Sequence, residues 1–119
     1  IANWKNLWAE NASNHFPYAN GLIEKELVGL EAITGFWSGS PDLYARLNFD
    51  LLDFFEKENR VLVFFDTKNL LKDEDRFYKD KQIGIFEFND EGLIVSYNEY
   101  FDPLNLGRTF GMIEVSKIE

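Results

Sequence analysis

The sequence predicts an α+β fold in which helical segments come first and a long-stranded antiparallel sheet follows. Two observations support this prediction. The apolar residues change from helical spacing to strict alternation after Pro41, which indicates that strands replace helices there. Beyond that point, three polar turns separate four strand-like stretches, which is the pattern of an antiparallel meander.

The N-terminal segment, residues 1–12, predicts a helix because its apolar side chains recur on one helical face. These side chains are Ile1, Trp4, Leu7, Trp8 and Ala12. Residues 15–18 then predict a short extended piece, since Pro17 disfavours helical backbone in the residue before it. Asn20-Gly21 is a turn dipeptide, and residues 22–28 are predicted to return as a second short strand.

A second helix is predicted over residues 29–38. Its apolar face is formed by Leu30, Ile33, Phe36 and Trp37. The helix is expected to stop at Gly39, which can adopt the left-handed cap conformation, and at Pro41, which cannot continue a helix.

Four antiparallel strands are predicted between residues 42 and 102, with their concave side packed on the second helix. The first, residues 42–55, alternates apolar and polar side chains. Residues 61–65 have no polar interruption, so they are predicted to be covered on both faces. Two more alternating strands begin at Tyr78 and Leu93. The polar turns between the strands are predicted at 56–59, 72–75 and 89–92.

Composition excludes several kinds of chemistry. The chain has 119 residues, which fits one domain, and its 12 basic and 21 acidic residues give a formal charge of −9. That acidity counts against nucleic acid and anionic membranes as partners. There is no Cys and a single His, so thiolate catalysis, Cys-ligated metals and His-pair zinc motifs are excluded. Aromatic residues make up 17%, so they dominate the core or the pocket.

Several stretches, in this order and spacing, resemble the nuclear-transport-factor-2-like superfamily, and within it the SnoaL-like and phenazine-biosynthesis-A/B-like branch. The resemblance runs from about Trp4 to Gly111. The stretches that carry it are residues 7–12, 15–18, 29–33, 36–37, 87–95 and 98–103.

The resemblance implies a single domain over residues 1–119, built as a cone. Such a cone is a strongly curved antiparallel sheet of about four to six strands wrapped around helices, with an apolar pocket inside. The resemblance also implies a long helix before Trp4, so sequence upstream of Ile1 is expected to be missing from this chain. Since these cones commonly pair through the outer sheet face, it further implies a homodimer joined sheet to sheet.

Glu99 is the first candidate for a catalytic residue. It lies in the last strand between Tyr97 and Phe101, and the alternation of a strand puts all three on one face. If that face lines the pocket, desolvation raises the pKa of the carboxyl, which can then act as a general acid or base. The resemblance to phenazine-biosynthesis-A/B-like proteins also implies an acid on this strand. Alternatively, Glu99 faces solvent, or pairs with Arg46 or Arg108.

Asp102 and His15 are the other two catalytic candidates. SnoaL-like cyclases carry an Asp near the end of the last strand, so the resemblance implies a role for Asp102; alternatively, it starts a turn before Pro103. His15 is the one side chain that titrates near neutrality when unperturbed, so a proton shuttle between His15 and Glu99 is chemically sensible. Alternatively, His15 lies at a sheet edge and bonds to backbone or water.

The chain departs from ketosteroid isomerase, which uses an Asp base and a protonated Asp donor. The residue before Pro17 is Phe16, where that family pattern has the acid, and no acid matches near residues 84–86. Steroid-isomerase chemistry is therefore not expected.

Aromatic side chains are the candidate ligand-binding residues: Trp8, Phe16, Tyr18, Trp37, Phe65, Phe86, Tyr97 and Phe101. They suit an aromatic ligand, or alternatively they form plain core. The predicted function is isomerase, cyclase or dehydratase chemistry by acid and base, without cofactor or metal, on a small apolar or aromatic metabolite. The alternative is a non-catalytic ligand-binding or dimerising domain. No secretory signal or membrane-length apolar run is visible, so a cytoplasmic location is expected.

Overall fold

The computed structural model describes residues 2–114 and 116. Its helices are α1 (Ala2–Lys5), α2 (Leu30–Trp37), α3 (Ser40–Leu43) and α4 (Pro103–Thr109). Its strands are β1 (Trp8–His15), β2 (Glu26–Val28), β3 (Tyr44–Arg46), β4 (Phe49–Lys57), β5 (Arg60–Leu71), β6 (Phe77–Phe88) and β7 (Ile94–Tyr100). This mixture of a curved, open sheet with short helices confirms the predicted α+β class.

The seven strands of the described residues form one sheet in the order β2-β1-β7-β6-β5-β3, and β4 also pairs with β5. From β4 to β7, consecutive strands are antiparallel, as predicted for residues 42–102. β1 adds to this meander by pairing in parallel with β7 and antiparallel with β2. The sheet is therefore larger than the four to six strands expected.

The predicted N-terminal helix is wrong beyond α1, because the chain is extended from Trp8 onward. Trp8 and Ala12 are both buried, four residues apart. A spacing of four brings side chains to one face in a strand as well as in a helix, so it does not distinguish the two. Pairing with β2 and β7 decides in favour of the strand. Ile1, assigned to the same helix, lies outside the described residues.

The stop after α2 also differs from the prediction. Gly39 has φ −76°, in the right-handed region, and it precedes a second short helix in which Pro41 occupies the first turn. Proline is tolerated there because the first turn has no acceptor for its missing N–H. The first predicted strand therefore begins only at Tyr44 and is divided into β3 and β4.

The predicted turns are all present. Asn20 and Gly21 have φ of 49° and 83°, the conformation expected of an Asn-Gly turn. Glu58, Glu74 and Gly92 have positive φ in the three turns of the meander. These turns set the register that places alternate side chains of β5, β6 and β7 on the inner face of the sheet.

The core lies between α2 and the inner face of the sheet. Ile33 of α2 and Phe16 of the β1–β2 connection are fully buried, in one cluster with Tyr97 and Phe101. The Phe16 ring lies 5.3 Å from the ring of Phe36, measured between centroids. The second helix is thus held against the sheet by aromatic packing.

The β4–β5 arm is the least covered part of the described chain. Every residue of β4 is exposed, and the side chains of Phe49, Leu51, Phe54 and Phe55 are each more than half exposed. Residues 61–65 of β5 are half-buried, so the prediction that both of their faces are covered is wrong. The reason is that α2 packs on β1 and β2 and α4 packs on β6, which leaves this arm beyond them.

None of the helices in the described residues combines the length and the hydropathy needed to cross a bilayer.

Candidate functional site

A cavity of about 370 Å³ lies between the inner face of the sheet and helices α2 and α4. Aromatic and aliphatic side chains form most of its wall, and they come from α2, the β1–β2 connection, the segment around β3, and the chain from Phe101 to Met112. Its polar side comes from the strands, where alternation turns every second side chain inward. The polar lining residues on the strands are Tyr44, Thr67, Asn69, Tyr78, Gln82 and Glu99, and α3 adds Ser40.

Glu99 is the acid that lines this cavity. The Tyr97 hydroxyl, two residues earlier on the same face of β7, donates a hydrogen bond to Glu99 Oε1 at 2.8 Å. Opposite Glu99 on β6 is Gly84, where an added Cβ would come within 2.7 Å of the Tyr97 ring. The missing side chain of Gly84 is what lets the Tyr97 ring lie across β6 with its hydroxyl beside the carboxylate.

The surroundings of Glu99 favour its neutral form. Burial raises the pKa of the Glu99 carboxyl to about 7, the hydrogen bond from Tyr97 opposes that rise, and the negative charge of Asp80 adds to it. A carboxyl with this pKa exchanges protons readily at neutral pH, which is what a general acid or base requires.

Two further tyrosines contribute to the polar side of the cavity. Burial raises the pKa of Tyr44 to about 12, and it raises the pKa of Tyr78 further still. The Tyr78 hydroxyl donates to Asp80 Oδ2 at 2.7 Å, and the backbone N–H of Asp102 donates to the same oxygen at 3.1 Å. Burial also raises the pKa of Asp80. Both phenols therefore stay protonated at neutral pH.

His15 is not part of the cavity. It pairs with Asn98 and so lies on the outer face of the sheet, because Glu99 is on the inner face. There its Nε2 lies 3.0 Å from Ser13 Oγ, and its Nδ1 lies 3.8 Å from Glu26 Oε1. The structure therefore does not assemble the direct shuttle between His15 and Glu99 that the sequence suggested.

Asp102 has a structural role at the start of α4. Its carboxylate accepts hydrogen bonds from the backbone N–H groups of Leu104 and Asn105, at 3.0 and 3.3 Å. This is an N-cap, so the turn interpretation describes its position and its contacts. It does not line the cavity that contains Glu99.

The eight predicted aromatic residues divide into three groups. Phe16, Trp37 and Phe101 line the cavity. Trp8, Phe86 and Tyr97 pack beneath it as core, with Phe86 stacked on Tyr97 at 4.3 Å between centroids. Tyr18 and Phe65 lie elsewhere: Tyr18 is exposed and packs edge-on against Tyr100, and Phe65 packs against Phe49 at the sheet edge.

Sequence reasoning missed most of the polar side of the cavity. Asn69 and Tyr78 are opposite one another on β5 and β6, and Tyr44 lies on β3 beside the end of β5. Asn69 and Tyr78 are each next to an exposed Lys, Lys68 and Lys79. This alternation was a usable signal, because it separates the inner from the outer face of the sheet. Nothing in the sequence indicated that this face joins that of Glu99.

Within the described residues, no three acidic or His side chains are grouped so as to hold a metal ion.

A family model described as a SnoaL-like domain matches residues 1–97. The chain belongs to this family, which confirms the resemblance to the SnoaL-like branch of the nuclear-transport-factor-2-like proteins. Among curated proteins, it is 29% identical over 113 residues to the uncharacterised protein YesE of Bacillus subtilis strain 168, covering 93% of this chain and 76% of that protein.

Two solved structures show the same fold. A protein of Bacillus subtilis named as a provisional isomerase has a TM-score of 0.83 and 29% identity, with 93% of this chain and 81% of that one covered. A phenazine biosynthesis-related protein of Pseudomonas aeruginosa has a TM-score of 0.75 and 15% identity, with 98% of this chain and 74% of that one covered.

Proposed function

We propose that this chain is a small-molecule enzyme that carries out cofactor-free acid/base chemistry on an apolar or aromatic metabolite, as an isomerase, cyclase or dehydratase. Glu99 is the acid and base, and Tyr97 orients its carboxyl. The observation that carries the proposal is the Glu99 carboxyl, with its pKa raised to about 7, on the wall of a largely apolar cavity of about 370 Å³. The proposal treats residues 1–119 as one domain.

The chemistry follows from where the proton can go. An ionised Glu99 can remove a proton from a carbon or hydroxyl of a bound ligand, and the neutral acid can return it to another position. The hydrogen bond from Tyr97 to Oε1 holds the carboxyl while leaving Oε2 for the ligand. Tyr44 keeps its proton at neutral pH and can donate it in a hydrogen bond to an oxygen of the ligand, whereas Tyr78 donates its proton in a hydrogen bond to Asp80.

The test measures acid/base chemistry on model compounds and does not require the natural substrate. A panel of cyclic enones and hydroxyaryl ketones is incubated with the protein in D₂O, and deuterium incorporation, isomerisation and loss of water are followed by NMR. Wild-type protein is expected to accelerate at least one of these over the blank, and Glu99→Gln is expected to lose about 100-fold or more of that rate. A rate that Glu99→Gln retains, in protein with native circular dichroism, would contradict the role of Glu99.

The alternative is a non-catalytic ligand-binding domain that uses the same cavity. The aromatic wall of the cavity favours simple ligand binding as much as it favours catalysis. Ligands that bind the cavity without any exchange, isomerisation or dehydration support this alternative.

The proposal includes a homodimer formed through the outer face of the sheet. The pairs Leu62–Ile85 and Phe64–Ile83 lie on that face, and all four side chains are half-buried in the single chain. Such an apolar patch is commonly covered by a second copy. Light scattering at micromolar concentration tests this: a mass near 13.9 kDa contradicts a dimer, and Ile85→Lys is expected to dissociate one. The expected cytoplasmic location is tested by fractionation.

A further inference from the structure

The cavity wall carries an acidic side chain and, among the described lining residues, no basic one. Glu99 is an acid that lines it, and none of the described lining residues is Lys, Arg or His. A ligand carboxylate placed beside Glu99 would therefore meet a like charge in a partly desolvated site, without a cation to offset the repulsion. An uncharged ligand meets no such penalty.

Several polar side chains that line the cavity already bond to other protein groups, whereas, in the described part of the chain, one oxygen of Glu99 does not. Thr67 and Gln82 bond to each other, and the Tyr78 hydroxyl donates to Asp80. Glu99 Oε1 accepts from Tyr97, while the hydrogen bonds of the described residues include none to Oε2. The carboxylate therefore offers an acceptor to whatever occupies the cavity, and a hydroxyl group on the ligand is the matching donor.

We propose that the cavity selects uncharged ligands that have an apolar body and a hydroxyl group donating to Glu99, and that it excludes carboxylates. This inference deepens the proposed function and rests on it, since the same carboxyl both recognises the ligand and transfers the proton. It narrows the substrate class to neutral hydroxylated compounds such as phenols and enols.

The selection depends on pH because it depends on the charge of Glu99. Above pH 7 the carboxyl is ionised, and a ligand carboxylate must either accept the repulsion or force Glu99 to take up a proton. Below pH 7 the neutral carboxyl can donate a hydrogen bond to the ligand carboxylate, so the discrimination is expected to weaken.

Matched ligand pairs test the proposal by isothermal titration calorimetry. The pairs are 4-ethylphenol with 4-ethylbenzoate, and 2-naphthol with 2-naphthoate, which differ in the head group and hardly in the body. At about pH 8.5 the wild-type protein is expected to bind each phenol at least about tenfold more tightly than its carboxylate partner. At about pH 5.5 the ratio is expected to shrink.

Two variants complete the experiment. Glu99→Gln is expected to lose the preference at both pH values, whereas Glu91→Gln, which removes an exposed charge in the 89–92 turn, is expected to keep it. The wild-type comparison at two pH values keeps the test valid if Glu99→Gln does not fold.

Three results would overturn the inference. They are carboxylate binding as tight as phenol binding at about pH 8.5, no binding of either phenol, and a preference that persists in folded Glu99→Gln. Failure of the proposed function looks different, because there the phenols bind with the expected preference and no Glu99-dependent exchange or turnover is found.

Discussion

The indole Nε1 of Trp37 donates a hydrogen bond to Asn14 Oδ1 at 2.8 Å, and the Nδ2 of the same Asn14 donates to the backbone carbonyl of Tyr97 at 3.3 Å. Asn14 is completely buried. It therefore joins a wall of the cavity, on α2, to the strand that carries Glu99. A single polar side chain couples the position of the helix to that of the acid.

Removing this link is expected to loosen the cavity. Asn14→Ala leaves the Trp37 N–H without its acceptor, removes the side-chain hydrogen bond to the Tyr97 carbonyl, and should lower the free energy of unfolding by about 1–3 kcal/mol. Urea unfolding followed by fluorescence measures this loss. Asn11→Ala on the same strand is the control, since Asn11 is exposed and a change near zero is expected. An equal loss in both variants would show that the buried hydrogen bonds contribute nothing specific.

The ionisation of Glu99 is expected to cost stability as pH rises. Its pKa in the folded protein, about 7, lies above the unfolded value of about 4.3, so the folded state binds the proton more tightly. The contribution of Glu99 to stability is then lost between about pH 4.3 and pH 7 and does not change further above pH 7. Glu99→Gln has no carboxyl to ionise at this position, so it should not show this loss. The variant should therefore gain up to about 3 kcal/mol relative to wild type between pH 4.5 and pH 8, as measured by urea unfolding. A difference independent of pH would show that the pKa of Glu99 is not raised.

The hydrogen bond from the Tyr97 hydroxyl is expected to keep the pKa of Glu99 below the value that burial alone would give it. Tyr97→Phe removes the donor that stabilises the charged carboxyl, so the pKa of Glu99 should rise further. Carbon-13 NMR titration of the Glu side chains follows this directly. Tyr100→Phe, on the outer face of the same strand, should leave the pKa of Glu99 where it is. A fall in that pKa in Tyr97→Phe would contradict the hydrogen-bond assignment.

Gly84 is expected to tolerate no side chain. A Cβ there would lie 2.7 Å from Tyr97 Cε1, so Gly84→Ala should displace the ring from Glu99 and cost about 1–3 kcal/mol of stability. The matched change Gly35→Ala lies in α2, where the added Cβ would meet nothing within 4 Å apart from its chain neighbours and the backbone of its own helix. It should stabilise the protein by about 0.5–1 kcal/mol, because Gly is a poor helix former. Thermal unfolding compares the two, and a harmless Gly84→Ala would mean that the Tyr97 ring can move at little cost.

Local periodicity predicted a substantial part of this protein. The alternation of the last strand placed Tyr97, Glu99 and Phe101 on one face, and the helical spacing of Ile33 with its neighbours located α2. Both are properties of a single element, in which the backbone geometry alone sets the relative directions of the side chains. The turns were equally predictable, because Asn20-Gly21 and the polar stretches 56–59, 72–75 and 89–92 have the composition of turns.

Which elements meet was decided only by the tertiary structure. Trp8 and Ala12 fit a helix and a strand equally well, and pairing with β7 made the segment a strand. The same pairing turned His15 outward while Glu99 faces the cavity. The two residues that the sequence suggested as a proton shuttle therefore lie on opposite sides of the sheet. Tyr44, which the sequence did not indicate as a site residue, lines the cavity with Glu99 because β3 pairs with the distant end of β5. Periodicity determines how side chains point within one element, whereas burial between distant elements determines which of those faces enclose the site.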